Sequence, residues 1–183
     1  MKQTKAMFRS SMLEFHKIEN IAICSLLMAL SIVLGFYSFY ITDNLRISFA
    51  IIPVAIAGYL YGPAVAAILG GSVDILNYLL KPMGAFFPGF TITNILTGLV
   101  YGIFLYKQKK ILTRTIAANT IIGVAFNLAL NTAWLYILYH TPYTANLITR
   151  APKELIMIGL NSIIIYVLIN TLKINTLVKR SQR

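Results

Sequence analysis

Ile21-Ala22-Ile23-Cys24-Ser25-Leu26-Leu27-Met28-Ala29-Leu30-Ser31-Ile32-Val33-Leu34-Gly35-Phe36-Tyr37-Ser38-Phe39 runs for nineteen residues without a charged side chain. A helix of roughly 20 apolar residues is what the hydrocarbon core of a bilayer requires. This stretch therefore sets the solvent of the fold, which is lipid. Cys24, the only cysteine of the chain, sits inside the run as an inert small residue. Without a second cysteine there is no disulfide framework and no thiol-based metal site.

The pattern repeats along the chain. Further spans are expected at residues 47–60 (short for a crossing), 63–80, 90–106, 116–139 and 155–172. Of the 183 residues, 58% are hydrophobic and 11% charged, whereas a soluble domain carries about 25% charged residues. The connections are short: Tyr61-Gly62-Pro63 makes a turn with proline at a helix start. A loop opens at Lys81-Pro82, and 140–152 is the longest loop, with Pro142 and Pro152. The expected fold is all-α, an integral membrane bundle of six transmembrane helices. Residues 1–20 form a basic leader, read either as an amphipathic helix on the inner surface or as a mobile tail. Residues 21–172 form the transmembrane domain and 173–183 a basic tail.

The net charge of +11 does not mark a nucleic-acid binder, because the basic residues sit at the ends of apolar segments, where membrane topology places them. With both termini cytoplasmic, twelve of the sixteen Lys and Arg residues fall inside and only Arg46, Lys81, Arg150 and Lys153 fall outside. That bias follows the positive-inside rule. The outer cations lie in three segments that a bundle brings together. They read either as an outward-facing anion site or as side chains snorkelling to lipid phosphates.

Asp74 is the sharpest chemical signal, since an ionisable side chain inside an apolar span is costly and points to function. Gly70, Asp74, Asn77 and Lys81 share one helix face by three-and-four spacing. Lys81 lies two turns from Asp74, too far for a tight pair, which leaves the carboxylate open to a ligand's donors. The alternative is an interhelical hydrogen bond to Asn94 or Asn131. Phe86, Phe87 and Phe90, set among Gly84, Pro88, Gly89 and Thr91, form either a structured aromatic lid or an interfacial belt. Asn127, Asn131 and Trp134 line one face of the fifth span, and Thr91, Asn94 and Gly98 one face of the fourth. Gly98 and Gly102 make a small-residue stripe for close packing, as do Ser25, Ala29 and Gly35 on the first span.

No GxxxxGK[ST] or HExxH motif is present, and His16 and His140 lie near opposite membrane faces. No nucleophile, metal or cofactor set emerges, so an ATP-powered pump or a membrane enzyme is disfavoured. A binding protein without an engine remains.

Gly58-Tyr59-Leu60-Tyr61-Gly62-Pro63-Ala64-Val65-Ala66-Ala67, running on to Gly70-Gly71-Ser72-Val73-Asp74, resembles the S components of energy-coupling factor (ECF) vitamin transporters. Lys81-Pro82 through Gly84-Ala85-Phe86-Phe87-Pro88-Gly89-Phe90-Thr91 resembles the folate-specific branch. The resemblance covers most of the chain. It implies a multi-pass protein of a bacterial plasma membrane, a six-helix bundle open to the outside, a partner transmembrane T subunit and two cytoplasmic ATPases. It also implies that the S component tips over in the membrane to release its vitamin. Family members dock through Ala-xxx-Ala on the first helix; here Ser25 and Ala29 occupy those positions, a departure that keeps both residues small.

The resemblance further implies folate as the substrate. Asp74 would accept the pterin's adjacent N–H donors, with Asn77, Asn94 and Asn131 as neighbouring polar groups. Phe86, Phe87, Phe90 and Trp134 would supply aromatic surface beside Thr91. Arg46, Lys81 or Arg150 would meet the anionic glutamate tail. The rival readings are an S component for riboflavin or thiamine, an independent proton-coupled carrier, and a structural scaffold. Thiamine's positive charge conflicts with the outer cations, a carrier is expected to show more intramembrane ionisable groups, and a scaffold leaves Asp74 without a role.

Overall fold

A computed structural model describes residues 2–42, 45–82 and 84–171; the side chains of residues 2–5 and 39–47 fall outside that description. The described chain is helical apart from one small hairpin. Its elements are α1 (Lys2–Leu13), α2 (Ile18–Phe36), β1 (Phe39–Thr42), β2 (Leu45–Ile47), α3 (Ile51–Tyr61), α4 (Pro63–Leu80), α5 (Pro88–Leu105), α6 (Ile111–Ile121), α7 (Asn131–Tyr139) and α8 (Tyr143–Thr171). A π-helical stretch, Ile122–Leu130, joins α6 to α7 without a break.

Among the described residues, five helical runs are long and apolar enough to cross a membrane: Ile18–Phe36, Pro63–Leu80, Pro88–Leu105, Ile111–Tyr139 and Tyr143–Thr171. They show their apolar side chains outward. Leu26 is 69% exposed, Leu79 68% and Ile156 69%. A water-soluble monomer does not present apolar surface on this scale, so these faces are lipid faces and the chain is a membrane protein.

The short second span proves to be the core. The 11-residue α3 is apolar on every side and buried along nearly its whole length, from Ile52 to Tyr59. It packs against α2, α4, α5 and α8. A helix without a polar face is stable only when enclosed in this way. It begins at Ile51 rather than Ile47, because Ile47 pairs with Phe39 in the hairpin.

Gly62 ends α3 and starts α4. Its φ of +87° belongs to glycine, and Pro63 follows at the first helical position, where its missing N–H costs nothing. The Ser11 hydroxyl reaches this turn from α1. It donates to the Tyr61 carbonyl at 2.6 Å and accepts from the Ala64 and Val65 amides at 3.1 and 3.3 Å. Two orphan amides of the α4 N-terminus are thereby capped from another helix. The leader is thus a helix tied to the bundle at Ser11.

Glycines set the distance between α3, α4 and α5. A Cβ on Gly98 would collide with the Ala66 carbonyl, and one on Gly102 with the Pro63 backbone. A Cβ on Gly58 would meet the Gly102 amide at 2.9 Å. Backbone therefore packs on backbone, as the Gly98–Gly102 stripe foretold.

Two boundaries differ from expectation. The long external loop at 140–152 does not exist: only 140–142 separate α7 from α8, which continues straight through Pro152. Proline there removes one helical hydrogen bond and predicts a break, but contacts with α3, α6, the π-helical stretch and α7 hold the helix together. The helix of the expected fifth span likewise starts five residues early, at Ile111.

Gly98→Val is expected to prevent the α4–α5 crossing, costing about 3 kcal/mol or more. Detergent-solubilised variant should elute as aggregate or melt well below the parent; a parent-like melting curve would contradict the backbone contact.

Candidate functional site

A cavity of about 250 Å³ opens between α3, α4, α5, the π-helical stretch, α7 and α8. Its lining is polar, inside a bundle whose outer faces are apolar. Asp74 and Asn77 enter from α4, Asn94 and Thr97 from α5. Asn127 and Asn131 enter from the π-helical stretch and α7, and α8 contributes Arg150, Lys153, Glu154 and Asn161.

The Asp74 carboxylate spans two helices. Thr91 Oγ1 donates to Oδ2 at 2.7 Å and Asn94 Nδ2 to Oδ1 at 2.8 Å. Gly70 makes this possible, since a Cβ there would stand 2.5 Å from the Asn94 carbonyl oxygen and hold α5 away. The expectation of an open carboxylate gives way to one engaged by α5, and the interhelical bond to Asn94 is real. Asn77, one turn on, packs against Gly35 of α2, whose added Cβ would lie 2.8 Å from its Oδ1.

Across the cavity the α8 wall carries charge. Glu154 is only 2% exposed. Lys153 Nζ donates to its Oε1 at 2.5 Å and Asn127 Nδ2 to its Oε2 at 3.1 Å. Asn131 Nδ2 stands 3.4 Å from Asn127 Oδ1, which orients its own Oδ1 elsewhere. Arg150 Nε and Nη1, Asn131 Oδ1 and Asn161 Oδ1 are buried without a hydrogen-bond partner among the described residues. Buried polar atoms are nearly always paired, so a wall holding this many unsatisfied groups is built for something else to complete it. Asn127 lies in the π-helical stretch, a distortion that recurs at functional sites.

The aromatic residues lie outside the cavity wall. Phe87 stacks between Phe90 and Trp134, with ring centroids 6.0 and 5.5 Å away, and Trp134 Nε1 donates to Thr93 Oγ1 at 3.1 Å. These contacts tie the start of α5 to α7. Phe86 is exposed and packs on Tyr78 at 5.0 Å. Lys81 also lies outside the lining, its Nζ 5.9 Å from the Phe36 ring centroid. The Arg46 side chain falls outside the described residues.

The family model of the ECF transporter substrate-specific component matches residues 19–169. The chain belongs to this family. It is accordingly a transport component and not an enzyme. The folate transporter FolT of Clostridium novyi (strain NT) is 41% identical over 125 residues, 68% of this chain and 73% of that protein. FolT of Leuconostoc mesenteroides subsp. mesenteroides is 30% identical over 162 residues, 85% of this S component and 87% of that protein. Among solved structures, a crystal structure of FolT bound with folic acid aligns with a TM-score of 0.78 at 33% identity, covering 85% of this chain and 95% of that one.

Of the expected site residues, the structure brings Asp74, Asn77, Asn94, Asn131 and Arg150 to one cavity. Thr91 stands behind Asp74, while Phe86, Phe87, Phe90 and Trp134 gather near the start of α5. Ser25 and Ala29 are exposed on α2, and the Ser25 hydroxyl donates back to the Ile21 carbonyl at 2.9 Å. Glu154, Asn161 and Thr97 went unread. The signal was the spacing Asn146, Arg150, Glu154, with Met157 and Asn161 continuing it. Pro152, taken as the end of a loop, concealed that these residues share one helix.

Asp74→Asn places an amide N–H₂ against one of two donors. It is expected to lower stability by roughly 2 kcal/mol through loss of a charge-assisted bond. Thermal melting of the purified variant checks this, and an unchanged midpoint would show that the α4–α5 clamp does not depend on the charge.

Proposed function

We propose that this S component binds folate from outside the cell and delivers it inward with an ECF transmembrane T subunit and two cytoplasmic ATPases. The observation that carries this reading is a polar cavity inside an apolar bundle, in a chain that aligns over 85% of its length with a FolT crystallised with folic acid. The FolT relatives bear the same name.

In this reading α3 and the hairpin complete a sixth crossing, both termini face the cytoplasm, and the protein is a multi-pass resident of the plasma membrane. The short α3 crosses only part of the bilayer, about 16 Å at the helical rise, and its enclosure by other helices removes the need to match the lipid. The positive-inside count supports the orientation. The leader helix lies at the inner surface with its basic residues toward lipid headgroups, and Ser25 and Ala29, exposed on α2, meet the T subunit.

The ring of the substrate occupies the cavity among Asp74, Asn77, Asn94, Asn131 and Arg150. Lys81 and Arg46, nearer the outer ends of their elements, take the anionic glutamate tail. Phe86, Phe87, Phe90 and Trp134 shape the entrance, with Thr91 holding Asp74 in place. No ATP is needed for capture, because binding is a property of this chain alone.

Titration of the purified chain with folic acid, thiamine and riboflavin, read by the fluorescence of Trp134 and the tyrosines, tests the reading. Saturable folic acid binding in the absence of ATP and partners is the expected result. Preference for riboflavin or thiamine would reassign the substrate, and no binding of any of the three by folded protein would overturn the reading.

A further inference from the structure

Two features of the α8 wall are left over once the cavity is called a folate site. Arg150 has two guanidinium nitrogens, Nε and Nη1, buried with no partner among the described residues. One helical turn deeper, Glu154 is a buried carboxylate lining the same cavity. Donor and acceptor thus stand side by side on one helix face, since positions four apart lie above one another.

The polarity of the surroundings follows from Glu154. Its carboxylate oxygens accept from Lys153 Nζ and Asn127 Nδ2, and Asn127 keeps Oδ1 for Asn131 Nδ2. Asn131 is left with Oδ1 unpartnered. Asn161 Oδ1, two turns below Glu154, is unpartnered as well. Unpartnered acceptors on Asn131 and Asn161 thus line the same cavity as Glu154, and unpartnered donors stand on Arg150.

A pterin carries the matching edge. Its 4-oxo group accepts, while the adjacent N3–H and the 2-amino group donate. We infer that Arg150 and Glu154 together read this lactam edge, Arg150 donating to the 4-oxo group and Glu154 accepting from N3–H and the 2-amino group. The inference rests on the folate reading and deepens it. Asp74, to which that edge falls by sequence, likewise has both oxygens bonded, by Thr91 and Asn94, but it has no guanidinium one turn away on its own helix to meet the 4-oxo group. Lys153 Nζ pairs with Oε1 of Glu154, and the second carboxylate oxygen, bonded by Asn127 at 3.1 Å, retains acceptor capacity toward the ring.

The pair makes a selectivity rule. A 4-amino analogue of folate replaces the acceptor opposite Arg150 with a donor, and a donor facing an unpaired guanidinium is penalised. Pteroic acid, which lacks the glutamate tail, keeps the whole edge.

The experiment compares folic acid, pteroic acid and 4-aminofolic acid by calorimetric titration of the full-length chain in detergent, as parent, Glu154→Gln and Arg150→Gln. Gel filtration and thermal melting establish that each variant is folded. Glu154→Gln is expected to weaken folic and pteroic acid by the same factor, about 10- to 100-fold. Arg150→Gln is expected to erode the preference for the 4-oxo over the 4-amino compound. A parent that binds folic acid with variants that bind all three ligands equally well would overturn the inference and leave the folate reading standing. Weaker folic acid with unchanged pteroic acid would place the pair on the tail, and uniform weakening at a constant 4-oxo to 4-amino ratio would mark a structural role; either overturns it. A folded parent that binds no folic acid would overturn the reading and the inference together.

Discussion

Backbone contact between α4 and α5 is the constraint on which the rest depends. Gly98 and Gly102 lie directly against the backbone of Ala66 and Pro63. Lipid offers no hydrophobic drive between helices, since the tails are as apolar as leucine, so association relies on close packing and on hydrogen bonds. Glycine supplies the first by letting the backbones meet. Gly70 extends the same contact along α4 until Asn94 and Thr91 reach the Asp74 carboxylate. The polar clamp is therefore a consequence of the glycine packing beneath it. The turn at Gly62 and Pro63, capped by Ser11 of α1, holds the end of the same helix pair at which α4 begins.

The two walls of the cavity differ in kind. The α4–α5 wall is satisfied within itself, because Asp74 spends its charge joining two helices. The α7–α8 wall is unfinished, with nitrogens on Arg150 of α8 and amide oxygens on Asn131 of α7 and Asn161 of α8 that have no partner among the described residues. A binding site needs both properties. One side must be rigid enough to keep the cavity open without a ligand, and the other must have hydrogen-bonding capacity left to spend on the ligand. Burying the Glu154 carboxylate at 2% exposure is costly in a low-dielectric interior. Lys153 and Asn127 offset that cost.

Particular residues show how far the chain could be read in advance. Asp74 stood out because a charge in an apolar span is rare, and Asn94 was available as its partner by type and position. Gly98 and Gly102 announced close packing by their spacing alone. Glu154 did not stand out. Pro152, two residues before it, is a reliable sign of a helix end in isolation, and it placed Arg150 in a supposed loop and left Lys153 and Glu154 between that loop and the span at 155–172. Tertiary contacts on α8 override that local preference, and the four-residue rhythm from Asn146 through Arg150 to Glu154 then becomes visible as a face.

Composition and periodicity by themselves determined that this chain lives in lipid as a helical bundle, because the bilayer demands long apolar runs with their backbone groups paired internally. The same reasoning located the charge of Asp74, while the motifs at 58–74 and 81–91 carried the resemblance to the ECF family. Only the tertiary structure decided which polar groups share a cavity, which of them are already satisfied and which remain to meet a ligand. The physical reason is that hydrogen-bond satisfaction depends on what packs across a helix interface. Thr91 and Asn94 complete Asp74 from α5, whereas nothing among the described residues completes Arg150.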